Sequence, residues 1–337
     1  MSIHHSNAFH QLRLIIKSKV FWILPFLMVL LFGNISVAQE EPVSGEEVVF
    51  KSGDVVINGR LVLPDSAENV PVVIFMGGLY EWGDLHPQRE SFIRENLEAV
   101  FPPAGIGVLY YDPRGIGEST GRWGRASMTD FAKDARAAIQ YLSQRREVDT
   151  QRIGLVGMGE DGWVAQIVAT DYPDEVKFVA SLGTAPFNAY RQLVNEYHSD
   201  YICSGETEEV ALQKAEQKAL SHQNWVSWLP LTKSWRHMNN KRDFDPAPYI
   251  KKIEIPALFL FGENDGHVYS EWALQEFSEM YPDSIPSNFT IKTITGANRF
   301  FHVVDMCYEY PGEDEPVRLN FSFRFRELFQ NWIFKNI

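Results

Sequence analysis

Residues 152–169 hold a place where a side chain could be lifted off the edge of a sheet to do chemistry. Arg152-Ile-Gly-Leu-Val-Gly157 reads as a strand and Trp163-Val-Ala-Gln-Ile-Val-Ala169 as a helix, with Gly157-Met158-Gly159-Glu160-Asp161-Gly162 between them. In a G-x-S-x-G turn of this kind the central serine attacks an acyl carbon. Here the central residue is Gly159, which has no atom to attack with. Gly157, Gly159 and Gly162 also spell G-x-G-x-x-G, a dinucleotide fingerprint. That fingerprint requires an acidic residue at the end of the next strand to hold the ribose. The next strand ends Ser181-Leu-Gly-Thr-Ala-Pro186, without an acid. No dinucleotide or other cofactor is therefore expected. Spacings such as H-E-x-x-H, which would hold a metal, do not occur.

Other reactive residue types follow strand-like runs. Asp265 closes Gly262-Glu-Asn-Asp265, and Arg299 closes Gly296-Ala-Asn-Arg299. His267 and His302 lie close to these two segments, and each reads more simply as an ordinary histidine than as a catalytic one. Ser119 and Ser181 sit on strand-end segments but lack the sharp turn that would present a nucleophile.

The positioning elements alternate. Glu46–Phe50 and Asp54–Leu63 read as a hairpin around Ser52-Gly53. The apolar runs 70–76 and 105–111 read as strands buried on both faces, 178–182 follows as a strand, 257–261 is the next buried strand and 289–294 the last. Ser127 with Asp130 signals a capped helix whose apolar stripe runs through Phe131, Ala135, Ala138, Ile139 and Leu142. An aromatic-rich helix over 315–337 closes the chain. Such alternation specifies a parallel sheet with helices on both faces. Residues 187–249 break the pattern, with helical material over 208–219 behind Thr207 and with Trp225, Trp228 and Trp235. This stretch is too long for a plain connection. It reads either as an inserted lid over the strand ends or as a second packing layer.

Four segments, in order and spacing, resemble the α/β-hydrolases, close to the secreted bacterial esterase and peptidase-like branch. They are Ile74-Phe-Met-Gly-Gly78, Asp112-Pro-Arg-Gly-Ile-Gly-Glu-Ser-Thr-Gly121, the turn 157–162, and Gly262–Asp265 with Gly296–Arg299. The resemblance covers about residues 45–335 and implies an α/β-hydrolase fold: a mostly parallel eight-stranded sheet with an inserted helical lid. It divides the chain into a core over 39–186, the lid over 187–249 and the rest of the core over 250–337. It also implies a Ser–His–Asp triad. The acid position is Asp265, the nucleophile position Gly159 and the histidine position Arg299, so the acid alone is retained. An arginine in place of the histidine cannot serve as a general base. The implied pocket is lined by Met76, Gly77, Gly78, Met158, Glu160, Arg299 and His302, and Arg299 is expected to pair with Asp265. The expectation is a pseudo-hydrolase that binds a small anionic or lipid-like ligand. The alternative is an active ester or peptide hydrolase with an unrecognised nucleophile.

Composition sets the remaining bounds. The 337 residues carry a net charge of −13 with no basic cluster, which argues against nucleic-acid binding and against a basic membrane patch. Arg13, Lys17 and Lys19, the apolar run Val20–Phe32 and Ser36-Val37-Ala38 have the order of a signal peptide over 1–38, with cleavage after Ala38. The expected location is secreted or periplasmic, with membrane attachment only if that segment stays uncleaved. Cys203 and Cys307 are the two cysteines; the sequence leaves open whether they are bonded.

Overall fold

The computed structural model describes residues 44–65, 68–77, 88–307 and 319–337. The leader expected over 1–38 lies outside them. Eight strands form one sheet: β1 (Glu46–Ser52), β2 (Val55–Val62), β3 (Val70–Met76), β4 (Gly107–Tyr111), β5 (Val148–Met158), β6 (Phe178–Leu182), β7 (Ala257–Gly262) and β8 (Phe289–Ile294). Their spatial order is β1-β2-β4-β3-β5-β6-β7-β8. The β1–β2 and β2–β4 pairings are antiparallel and the others parallel. This is the eight-stranded, mostly parallel sheet that the resemblance implies.

The helices are α1 (Gln88–Phe92), α2 (Met128–Leu142), α3 (Glu160–Asp171), α4 (Ala189–Cys203), α5 (Glu208–Trp228), α6 (Lys233–Lys241), α7 (Ala247–Ile250), α8 (Ser270–Met280) and α9 (Phe323–Asn336). Ser127 caps α2 in a capping box with Asp130, as its sequence predicts. Thr207 precedes α5 but its side chain makes no capping bond. The last helix starts at Phe323, later than expected, where the Ser322 hydroxyl accepts from the Phe325 amide.

Strand periodicity divides the core. Val72, Ile74 and Met76 face α2 and α3, whereas Val73 and Phe75 face α1 and α9. On that second face Phe92, Phe101, Phe325 and Phe329 are fully buried around stacked and edge-on ring contacts.

The run 112–121 acts as a structural clasp. Ser119 Oγ donates to the Asp112 carbonyl (2.5 Å) and accepts from the Asn58 amide (2.9 Å), and Thr120 Oγ1 accepts from Val56 (2.8 Å). This pins the β4 exit to β2. Gly115 is obligatory, because its φ is 79° and a Cβ there would meet the Trp123 amide at 2.4 Å. From the same run Arg114 grips Asp134 of α2 with two bonds, 2.7 and 2.6 Å, and the Asp134 side chain is 1% exposed. Removing one partner leaves a buried charge unpaired. Arg114→Ala is expected to lower the unfolding free energy by about 3–5 kcal/mol, measured by urea denaturation; a loss under ~1 kcal/mol would show that the pair is dispensable.

Candidate functional site

The C-terminal ends of β5, β7 and β8 converge on one cavity of about 760 Å³, within the usual range for small-molecule sites. Its floor is the β5–α3 turn. Gly159 forms the apex with φ 61° and ψ −128°, and its amide donates to the Leu182 carbonyl (2.9 Å). A Cβ on Gly157 would stand 2.2 Å from the Asp161 carbonyl, and one on Gly162 would stand 2.0 Å from Thr184 Oγ1. These two glycines let α3 lie against the sheet edge. Met158 and Glu160, on either side of the apex, line the cavity.

Two laced loops carry Asp265 and Arg299. The Asn264 amide donates to the Ala297 carbonyl (2.8 Å), and Glu263 Oε2 accepts from the Gly296 amide (2.8 Å). Asn298, which the sequence reading did not single out, organises the second loop. Its Oδ1 accepts from the Phe300 and His302 amides, both at 3.0 Å. Phe301, at φ 65°, stacks on Phe325 with 4.2 Å between centroids and so anchors that loop to α9.

Asp265 is 1% exposed. Its Oδ1 accepts from the amides of His267 (2.8 Å) and Val268 (3.2 Å), while Oδ2 has no partner. Burial pushes its pKa up, against the opposing pull of the Arg299 and His267 charges and the two amides. The expected Arg299–Asp265 ion pair is not formed. A methyl group placed on Gly183 would touch both Asp265 Oδ2 (3.4 Å) and the Arg299 carbonyl (3.3 Å), so the Arg299 backbone runs beside the carboxylate. The guanidinium lies 5.8 Å from the Phe300 ring centroid. Glu196 of α4 also feels this charge. Burial pushes Glu196 up, but His267, with Nδ1 3.5 Å away, and then Arg299 outweigh it and hold the carboxyl low.

Other expected lining residues are elsewhere. Met76, Gly77 and His302 are buried and do not line the cavity, and Gly78 lies outside the described residues. Met76 points into the core beneath α2 and α3, and His302 packs on Phe321 at 4.2 Å. Ser119 serves the clasp, and buried Ser181 accepts from Gln166 Nε2 (3.0 Å). Trp225, Trp228 and Trp235 are also not among the lining residues. The helices of 189–250 instead contribute Leu193, Glu196, Tyr197, His222, His237 and Lys241, among others.

A second charge cluster closes over the turn. Glu160 accepts from His237 Nε2 (2.6 Å) through one oxygen and contacts the Lys241 ammonium through the other. The spacing of four on α6 puts both donors on one face, a signal present in the sequence but not read there. Trp123 stacks on the His237 ring at 4.0 Å. Burial pulls His237 down to about 4. Burial, with the Arg299 charge adding to it, pulls Lys241 to about 7, and the touching Glu160 carboxylate works against that pull. Glu160 is thus fully engaged and unavailable as a general base. One hydroxyl–imidazole contact lines the cavity, Tyr197 OH to His222 Nδ1 at 2.5 Å.

Near its rim the cavity is tied by the Cys203–Cys307 disulfide, which joins the end of α4 to the segment following Arg299. Among the described residues no group of three metal-ligating side chains comes together.

Residues 52–200 match the X-Pro dipeptidyl-peptidase (S15) family model, and residues 135–290 match the C-terminal model of BAAT and acyl-CoA thioester hydrolases. An uncharacterised Mycobacterium tuberculosis protein is 32% identical over 131 residues, 39% of this chain and 43% of its own length. The chain thus spans less than half the length of this curated relative. An esterase of Pyrococcus furiosus superposes with a TM-score of 0.58 at 15% identity, covering 87% of this chain and 91% of that one. Est1E of Butyrivibrio proteoclasticus, bound to ferulic acid, superposes with a TM-score of 0.53 at 16% identity, covering 86% and 96%. At these identities the superpositions speak to the fold.

A histidine held neutral by burial binds its proton more readily in the unfolded chain. Stability therefore falls as pH drops from about 6.5 towards 4, by at most ~3 kcal/mol for His237, with the Glu160 carboxylate 2.6 Å from its Nε2 opposing part of that loss. His237→Phe, which keeps the stack on Trp123, is expected to flatten this part of the stability–pH curve in urea titrations. An unchanged slope would assign the dependence to other groups.

Proposed function

We propose that this chain, an α/β-hydrolase superfamily member with that superfamily's fold, is a pseudo-hydrolase that binds a small polar ligand in the former catalytic pocket. The observation that carries this reading is the state of the three positions that the resemblance assigns to a triad. The turn apex is Gly159, without a side chain; Asp265 Oδ2 is buried without a partner; and the residue at the expected histidine position is Arg299, which lines the same cavity as Asp265. Loss of a triad nucleophile or base removes on the order of 10⁶ in turnover. Asp265 cannot restore it alone.

The unpartnered Oδ2 and the Arg299 guanidinium suggest what the ligand must offer. It presents an anionic group to Arg299 and an N–H or O–H donor to Asp265. Glu196, Glu263 and Asp200 also line the cavity, so a ligand that is only anionic meets repulsion. The helices of 187–249 serve in this reading as a lid. Secretion or a periplasmic location is supported by the Cys203–Cys307 bond and by the leader-like first 38 residues.

A second reading, an active ester or peptide hydrolase, has the Tyr197–His222 contact in its favour. Its chemistry is poor. Burial raises Tyr197 to about 12 and lowers His222, so phenolate is scarce. Tyr197 also lies within α4, whose amides are engaged in the helix and offer no oxyanion hole.

Two measurements decide between these readings. Turnover of p-nitrophenyl esters and aminoacyl substrates is expected to stay at the level of a Gly159→Ala control; turnover that Tyr197→Phe abolishes would overturn the pseudo-hydrolase reading. Calorimetry with amino acids is expected to give binding that Arg299→Ala weakens roughly 10-fold or more, and small carboxylates and phosphate, which lack the donor, are expected to bind more weakly. Gly159→Ser with Arg299→His is expected to recover measurable esterase activity, with a cost of ~1–3 kcal/mol for a side chain at positive φ.

A further inference from the structure

The tryptophans that do not line the cavity face water. Trp228 is 75% exposed, Leu231 65% and Trp225 57%, with Leu220 (53%) and Leu229 (39%) beside them in sequence. The Trp225 and Trp228 rings meet edge to face, 5.9 Å between centroids, at the end of α5. Arg236 Nη1 donates to the Leu231 carbonyl (2.9 Å) and holds the next loop in place. So much apolar surface on one short segment marks a contact site rather than scatter.

The charges of this segment indicate what it contacts. From Gln217 to Arg242 there is no Asp or Glu, but five Lys or Arg, in a chain with 44 acids and 31 bases. Two of the five pair with carboxylates, Lys241 with Glu160 and Arg242 with Asp243, and Lys218 Nζ lies 5.9 Å from the Tyr197 ring centroid. Lys218 and Lys233 are exposed on either side of the tryptophans in sequence, and Arg236 is half-exposed. Indole and leucine side chains interleaved with cations, free of carboxylates, suit the headgroup region of an anionic bilayer: the rings enter the interface and the cations meet phosphates. Among the described residues no helix is long and apolar enough to cross a membrane, so this contact lies on the surface.

We infer that the α5–α6 segment, through Trp225, Trp228, Leu229 and Leu231 flanked by Lys218 and Lys233, docks on an anionic phospholipid surface. The same segment supplies His222 and Ser234 to the cavity wall. Docking would bring that wall to the interface and could couple pocket access to the membrane. The inference does not depend on whether the pocket is catalytic.

The test uses the full chain with vesicles of brominated phosphatidylglycerol or brominated phosphatidylcholine, read by tryptophan fluorescence. Wild type is expected to be quenched more by phosphatidylglycerol than by phosphatidylcholine. The Trp225→Phe/Trp228→Phe variant is expected to lose much of that quenching, and Lys218→Gln/Lys233→Gln to lower it, with more effect in low salt than in high salt. The apolar run 20–32, with Trp22, is common to all these chains and cancels in the comparison. Near-UV circular dichroism checks that each variant is folded. Equal quenching of wild type and the double Phe variant would overturn the inference, and equal quenching by the two lipids would overturn its anionic part. A wild-type dimer that Trp228→Ser dissociates, with no vesicle quenching of these two indoles, would assign the patch to a second copy of the chain instead.

Discussion

The pocket depends on how closely a helix can lie against the edge of a parallel sheet. At Gly157 and Gly162 any side chain would strike backbone or Thr184, so α3 can begin directly beneath the cavity only because these positions are bare. The turn between them needs positive φ at Gly159. A serine would hold that conformation only under strain; glycine holds it freely. Glycine at the apex therefore holds the frame of the turn without that strain.

The electrostatics follow from burial in that frame. Asp265 is taken out of water, and two backbone amides satisfy one of its oxygens. The second oxygen is buried without a partner, and the Arg299 charge acts on the carboxyl through space. Glu196 and Asp265 feel the same guanidinium with different outcomes, because Glu196 also has His267 beside it. Glu160, next to the apex, is taken by His237 and Lys241. One carboxylate is thus locked in a network while the other keeps a buried oxygen without a partner.

The insertion between β6 and β7 has two faces. Inward it supplies the polar wall and, through Cys203, a covalent tie to the loop beyond Arg299. Outward it shows tryptophan and leucine to solvent. A bond closing 104 residues removes much of the unfolded chain's freedom, about 4–5 kcal/mol in the entropic account. Such a tie steadies an element whose outer surface buries little.

Local pattern was enough for the frame. Continuous apolar runs bounded by glycine and proline become buried strands wherever helices cover both faces, so the strands and their alternation with helices were legible from residue order. The glycine at the turn apex and the acid and arginine after β7 and β8 were legible too, because strand ends in such a sheet converge on one edge. The last helix was legible in kind but not in its start, since Ser322 caps it from a position that periodicity does not mark. What the sequence could not decide was side-chain reach and facing. Whether Arg299 pairs with Asp265 or only acts on it through space turns on a few ångströms of long side chain. Whether Trp225 and Trp228 roof the cavity or face water turns on the rotation of α5, a helix with only a thin buried stripe of alanines and Val226. The Cys203–Cys307 pairing, the engagement of Glu160 from α6 and the burial of Met76 and His302 depend on contacts between residues far apart in the chain. Sequence spacing determines which elements form and which edge they share; only the packed tertiary structure decides the distances and burial on which binding and proton affinity depend.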